Sequence, residues 1–122
     1  MAAPNIVNVT SILGKTTAAA LDTTLTTSLL ANAASSNKLL KLNSIIVANK
    51  DGSSAAAVTI SWYNGSTDFY LASTVNVPAD STLIVMGKDS PLYLEEGQSI
   101  RGGASANGDL DVIISYEELD DA

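Results

Sequence analysis

The feature that most constrains the fold is a strict apolar–polar alternation that runs directly into an Asn-Gly pair. Val58, Ile60 and Trp62 alternate with Thr59, Ser61 and Tyr63, which is the period of a β-strand with one buried face. Asn64-Gly65 follows at once and favours a hairpin turn, because both residues tolerate a positive φ. The two-residue period then continues on the predicted return strand at Phe69, Leu71, Val75 and Val77. The sequence therefore predicts an antiparallel β-hairpin here.

Other segments repeat this pattern of short apolar strands and polar turns. Further strands are predicted at 5–13, 39–49, 83–86 and 110–116, with turn clusters such as Asp51-Gly52-Ser53-Ser54 between them. Residues 16–34 include alanine-rich pieces that favour a helix, but the threonine-rich run at 23–27 opposes one, so we favour strands there. We predict one all-β domain over 1–122, an antiparallel, jelly-roll-like β-sandwich of about eight strands. Residues 1–13 are predicted to form an extended N-terminal strand or arm.

The composition excludes several classes of function. The chain has 122 residues and 46% hydrophobic content, enough for one core, and it has neither cysteine nor histidine. Disulfides, thiolate metal sites and the commonest general base are therefore missing. The N-terminus lacks the pattern of a signal peptide, and no run is long enough to span a membrane. With a net charge of −7 and no basic cluster, we expect no nucleic-acid partner, no membrane, no cofactor, no metal and no catalytic residues.

The charges are unevenly distributed along the chain. Residues 1–61 hold four lysines and two aspartates, whereas residues 62–122 hold eleven acidic and two basic residues. This asymmetry has two interpretations, which are ordinary solubility or complementary faces that meet between subunits. The acidic end of the chain likewise has two interpretations, which are a solvated end or a surface that docks on a neighbouring subunit. The candidate subunit-interface residues are Ile6, Val7, Val9 and Ile12 of the arm, and Glu117, Glu118, Asp120 and Asp121 of the acidic end.

Four polar or aromatic features are candidate ligand sites, and each also has a purely structural interpretation. Glu95 and Glu96 are adjacent on a predicted strand and so point to opposite faces, which favours an exposed polar corner over a catalytic pair. Asp109 and Asp111 suit either a polar turn or, with Glu95 or Glu96, a calcium site. Glycine-rich residues 102–108 are predicted to be a strand, edge or loop that allows close backbone approach. The candidate surface aromatics are Tyr63 and Tyr70, which suit stacking on a sugar.

Several segments together resemble small virion structural proteins of tailed bacteriophages of the marine cyanobacterial phage type. They are residues 1–10 (MAAPNIVNVT), 45–49 (IIVAN), 77–79 (VPA), 92–97 (LYLEEG) and 114–117 (ISYE). The resemblance implies a multicopy, non-enzymatic virion component that is assembled in the host cytoplasm. Its expected partners are the major capsid protein or other virion proteins, and copies of itself.

Three functions follow from this reading of the sequence. The first is a capsid decoration or cement protein that binds the major capsid protein and itself. A neck, collar or tail component is the alternative within the same class. A carbohydrate-binding module for adsorption to the host is the alternative from another class.

Overall fold

The computed structural model describes residues 11–120, and this range contains strands and turns without any helix. Nine strands form two antiparallel sheets that pack on each other, so the predicted β-sandwich is confirmed with one strand more than the approximate number expected. The strands are β1 (Ser11–Ala20), β2 (Ser28–Ala31), β3 (Lys38–Asn49), β4 (Ala56–Tyr63), β5 (Asp68–Val77), β6 (Thr82–Met86), β7 (Leu92–Leu94), β8 (Ser99–Ala104) and β9 (Leu110–Asp120).

The larger sheet has five strands in the order β1-β9-β3-β6, and β7 also pairs with β3. β6 and β7 share one side of β3, because β7 pairs with residues 40–42 and β6 with residues 45–48. β9 lies between β1 and β3 along almost its whole length. Of the arm predicted at 1–13, residues 11–13 therefore belong to a strand paired within its own chain, and residues 1–10 lie outside the described range.

The smaller sheet has four strands in the order β2-β8-β4-β5. Its β4–β5 hairpin is the one that the alternation and the Asn-Gly pair predicted. The Asn64 side-chain oxygen accepts hydrogen bonds from the backbone N–H groups of Ser66 and Thr67, at 3.0 and 2.8 Å. Gly65 has a φ of 103°, which glycine adopts without the strain that a side chain would introduce.

The predicted two-residue period of β5 is wrong, because two irregularities interrupt its pairing with β4. Phe69 and Leu71 are exposed, whereas Ala72 and Val77 face the core. Thr74 adopts a φ of 52° at one irregularity, and its N–H donates to the Thr59 hydroxyl. Each extra residue reverses the face to which the following side chains point, so a simple alternation cannot persist along this strand.

The core between the sheets is aliphatic, as the composition predicts. Leu42, Ile45, Val58, Ile60 and Ile114 are at most 1% exposed. Burying an aliphatic side chain of this size contributes about 1.5–3 kcal/mol to folding before the entropy of ordering is subtracted. The two sheets are therefore held together mainly by non-directional packing of side chains without polar atoms.

Two glycines of β8 make the close backbone approach predicted for the glycine-rich segment. A Cβ at Gly102 would lie 2.2 Å from the Thr59 carbonyl oxygen, and one at Gly103 would lie 2.3 Å from that of Thr24. Residues 22–27 run beside this strand, where Asp22 accepts a hydrogen bond from the backbone N–H of Ala104 at 2.7 Å. β8 is thus an internal strand rather than an edge.

Candidate interaction surfaces

A row of apolar side chains crosses the outer face of the larger sheet. Ala18 lies opposite Ile113, Ile113 opposite Ile46, and Ile46 opposite Ile84. Residues directly opposite each other in a sheet share a face, and their chain neighbours Val112 and Val47 are buried in the core, so this row points away from it. We call Ala18, Ile113, Ile46 and Ile84 the isoleucine row.

The isoleucine row is exposed to different degrees from one side to the other. Ile84 is 64% and Ile113 37% exposed, and Ile46 is half-buried between them. Sequence reasoning did not single out these residues, although a signal was present. Ile113 is an apolar residue on the otherwise polar face of an alternating strand, and Ile46 interrupts the alternation of β3. Apolar residues on both faces of these strands make the outer face a candidate interaction surface.

The second surface is the open edge of β1. β1 pairs with β9 from Ser11 opposite Asp120 to Ala20 opposite Asp111 without any register shift. Within residues 11–120, no strand pairs with its other edge. Ile12 and Leu13 are 56% and 48% exposed on opposite faces of this strand. The backbone groups along this edge are therefore available to another strand.

The lysines of the first half of the chain pair with acidic residues of β9. Glu118 lies 3.2 Å from Lys15 and 3.4 Å from Lys38, with its side chain only 12% exposed. Weaker or more exposed pairs join Lys41 to Glu117 at 3.9 Å and Lys50 to Asp111 at 3.0 Å. The complementary charges of the two halves of the sequence thus meet within one chain, across neighbouring strands of the larger sheet.

The candidate interface residues are therefore distributed over different settings. Ile12 lies opposite Leu119 on the outer face of the larger sheet, at the rim of a shallow pocket of about 220 Å³ that Lys41, Tyr93 and Glu117 also line. Glu117 and Glu118 belong to β9 and hold lysines of their own chain. Asp120 lies between Ser11 and Lys38 in the sheet. Ile6, Val7, Val9 and Asp121 lie outside the described residues.

The candidate surface aromatics lie on the outer face of the smaller sheet. Tyr70 is 63% exposed. One face of the Tyr63 ring is covered by Arg101, whose guanidinium carbon lies 4.1 Å from the ring centre. Arg101 also contacts Asp68 at 3.5 Å, and Asp68 accepts a hydrogen bond from the Ser61 hydroxyl at 2.9 Å. Tyr63 is thus part of a polar network, and Tyr70 is the freer of the two rings for stacking.

The two glutamates of the predicted exposed corner have different surroundings. Glu95 is exposed, but Glu96 is only 7% exposed. The Glu96 carboxylate accepts a hydrogen bond of 2.7 Å from the backbone N–H of Asn37. The prediction of an exposed rim is therefore wrong for Glu96, which ties the β2–β3 loop to the β7–β8 turn. Gly97, with a φ of 82°, forms that turn as predicted.

The acidic residues near the start of β9 serve turns and ion pairs. Among residues 11–120, no group of three or more acidic side chains is placed to hold a metal ion. Nearby, Ser53 donates backbone and hydroxyl hydrogen bonds to Asp51, which lower the pKa of that carboxyl below its ordinary value. Hydrogen bonds to the charged form stabilise it, so this shift belongs to a turn rather than to a reactive group.

Residues 11–120 include no helix capable of crossing a membrane.

Comparison with known proteins finds similar solved structures, one of which is a phage capsid protein. No protein-family model and no curated protein matches the chain. The structure is titled "Crystal Structure of a Pentameric Capsid Protein Isolated from Metagenomic Phage Sequences". It matches with a TM-score of 0.37 and 15% sequence identity, over 86% of this chain and 60% of that chain. The chain thus spans about 60% of that capsid protein's length.

Proposed function

We propose that this protein is a structural component of a phage virion, a decoration protein that binds the major capsid protein and copies of itself. The observation that carries the proposal is the isoleucine row on the outer face of the larger sheet. Isoleucine is β-branched and stiff at χ1, so the contact of residues such as Ile84 with a partner costs little side-chain entropy. The resemblance of the sequence to phage virion proteins supplies the identity of the partner.

The size of the outer face suits a protein partner. Ten paired positions between β1 and β9 correspond to a length of roughly 33 Å, and four neighbouring strands to a width of roughly 14 Å. The face therefore presents roughly 450 Å² in projection, and its accessible area is larger because side chains protrude. A standard interface takes about 800 Å² from each partner. Most of such an interface fits on this face, with apolar residues at its centre and the Lys41–Glu117 and Lys50–Asp111 pairs toward its rim.

The proposed mechanism is stabilisation by added interface. A protein that bridges neighbouring capsid subunits binds the assembled shell and not the free subunits. By mass action, such binding stabilises the assembled state. No reacting group on the decoration protein is required for this effect. A position at the neck, collar or tail uses the same surface, and labelling the protein within the intact particle distinguishes these positions.

The test is co-sedimentation with capsid shells of the phage that encodes this chain. Ile84→Lys places a charge at the most exposed position of the isoleucine row, and we expect binding at least tenfold weaker, because the charge loses water in the interface without gaining a partner. Leu25→Lys is the matched control, because Leu25 is 49% exposed in the loop beside the smaller sheet. Failure of the parent protein to bind shells or any other part of the particle would refute the proposed function. Equal binding by the parent and Ile84→Lys would refute the assigned surface.

The carbohydrate-binding alternative has weaker support in the geometry. Stacking on a sugar needs an accessible ring face, and Arg101 occupies one face of Tyr63. Of the two candidate tyrosines, Tyr70 is the one with a widely exposed ring. Glycan binding that Tyr70→Ala abolishes would favour this alternative over the decoration role.

A further inference from the structure

The open edge of β1 lacks the features by which other edge strands avoid pairing. Natural edges are short, bulged, interrupted by proline or charged. β2, β6 and β7 have three to five residues each, and register shifts interrupt the pairing of β2 and β6. β5 carries two irregularities. β1 has ten residues in continuous register, no proline, and one charged residue, Lys15, whose charge Glu118 neutralises.

We propose that β1 pairs with β1 of a second copy of this chain, antiparallel across a two-fold axis. The larger sheets of the two copies then form one continuous sheet in the order β6-β3-β9-β1-β1-β9-β3-β6. The interface is isologous, so one surface supplies both sides of the contact. This pairing specifies the self-association within the proposed function, and its role in a virion rests on that proposal.

The side chains of β1 select one register for this pairing. The outer faces of the two larger sheets then lie on the same side of the joined sheet. Even-numbered residues of β1 can therefore lie opposite only even-numbered residues, and odd-numbered opposite only odd-numbered ones. A register centred on Lys15 would place two lysines directly opposite, which is unfavourable. Centring the register on Thr16 or on Thr17 places threonine opposite threonine, a favourable pair. The Thr17 centre pairs only positions 14–20, whereas the Thr16 centre pairs 12–20 and covers Ile12 and Leu13 as well, so the Thr16 centre is favoured. The other opposite positions are then Lys15 with Thr17, Gly14 with Ala18, Leu13 with Ala19, and Ile12 with Ala20.

This register also matches side-chain size and charge. The two exposed aliphatic residues, Ile12 and Leu13, each lie opposite an alanine, so a large side chain covers a small one on both faces of the joined sheet. Each Lys15 stays bound to Glu118 of its own chain at 3.2 Å. The remaining repulsion comes from the net charge of −7 on each copy. Because salt screens that repulsion, we expect the dimer to tighten as the ionic strength rises.

A charge exchange at Thr16 tests both the partner and the register. Thr16 is exposed and lies opposite Ser115 in its own sheet, so a charged residue there leaves the monomer intact. In the proposed dimer, Thr16→Lys and Thr16→Glu each place two like charges opposite each other. We expect each variant alone to dimerise at least tenfold more weakly than the parent. An equimolar mixture should restore the dimer as a heterodimer, because the opposite charges then meet.

Light scattering with size-exclusion chromatography measures these masses, and circular dichroism shows whether each variant is folded. Thr82→Lys is the control, because Thr82 is exposed on β6 at the opposite edge of the same sheet. It should dimerise like the parent. A parent that is monomeric at about 100 µM, a concentration at which even weak dimers form, overturns the proposal. So does a mixture of Thr16→Lys and Thr16→Glu that stays monomeric.

The outcomes of this test are separate from those of the capsid-binding test. A monomeric parent that binds shells overturns the β1 pairing and leaves the decoration function standing. A dimeric parent that binds no part of the particle overturns the decoration function and leaves the β1 pairing standing. If the parent is monomeric and Thr16→Lys weakens its binding to shells, the edge receives a strand of the capsid protein, and the pairing with a second copy is refuted.

Discussion

Replacing Gly103 by alanine tests how tightly residues 22–27 pack beside β8. The new Cβ would lie 2.3 Å from the Thr24 carbonyl oxygen and 2.8 Å from that of Asp22. An ordinary contact between carbon and a carbonyl oxygen is about 3.3–3.6 Å, so the backbone must move by about 1 Å. Both clashing atoms belong to the main chain, and no flexible side chain can move aside.

The cost follows from the bonds that such a movement breaks. The backbone N–H of Ala104 donates to Asp22 at 2.7 Å, and that of Gly102 donates to Thr27 at 3.0 Å. Losing two hydrogen bonds costs about 1 kcal/mol each, and overpacking adds about 1–3 kcal/mol. We expect the free energy of unfolding to fall by about 3–5 kcal/mol. For a domain of this length, that corresponds to a Tm lower by at least about 10 °C.

Urea unfolding followed by tryptophan fluorescence measures this change, because Trp62 is the only tryptophan. The urea concentration at the midpoint of unfolding should fall, while the slope of the unfolding free energy against urea concentration stays the same. Gly87→Ala is the matched control, because a Cβ at Gly87 meets nothing within 4 Å, and it should leave the midpoint unchanged or slightly higher. If Gly103→Ala unfolds at the same urea concentration as the parent, the close packing of residues 22–27 on β8 is refuted.

Two further predictions concern charged residues. Glu118→Gln removes the negative charge shared by Lys15 and Lys38, and because both lysines are well exposed we expect a loss of only about 1 kcal/mol that shrinks in about 1 M salt. Glu117→Gln, whose pair with Lys41 is longer, should cost less, and an equal loss in urea unfolding would contradict the ranking. Asp51→Asn should destabilise slightly at neutral pH and less at about pH 2, because a carboxyl whose pKa is lowered by folding contributes its full stabilisation above its unfolded-state pKa and loses it as the pH falls through its folded-state pKa. Thermal melts at both pH values check this, and an equal shift at both would disprove it.

The strands with one clean apolar face were predictable from the sequence. Val58 and Ile60 of β4 and Leu110 and Val112 of β9 alternate in the sequence and are buried in the structure. Their period depends only on local backbone geometry. The prediction failed in β5, where Thr74 takes a positive φ without a glycine to signal it. The pairing with β4 imposes that irregularity, and a local pattern does not record it.

The surfaces were less predictable because they depend on which strands become neighbours. The isoleucine row joins Ile84, Ile46 and Ile113 from three strands that are distant in sequence. The same limit explains Glu96, whose burial depends on the backbone of Asn37 in another loop. By contrast, the charge asymmetry was visible in the sequence, but whether the complementary charges meet within or between chains depends on the placement of β9. Local sequence patterns thus predict strands and turns, whereas predicting which residues become neighbours across a sheet requires knowledge of the strand order.

The position of β9 has a consequence for the order in which the chain folds. β9 follows every other described strand in sequence, yet it lies between β1 and β3, and its Glu118 meets Lys15 from 103 positions away. During synthesis β1 and β3 must wait for β9, while the β4–β5 hairpin can form as soon as it emerges. Closing so long a loop makes folding slow. Until β9 arrives, both edges of β1 and one edge of β3 stay unpaired, which exposes the nascent chain to aggregation.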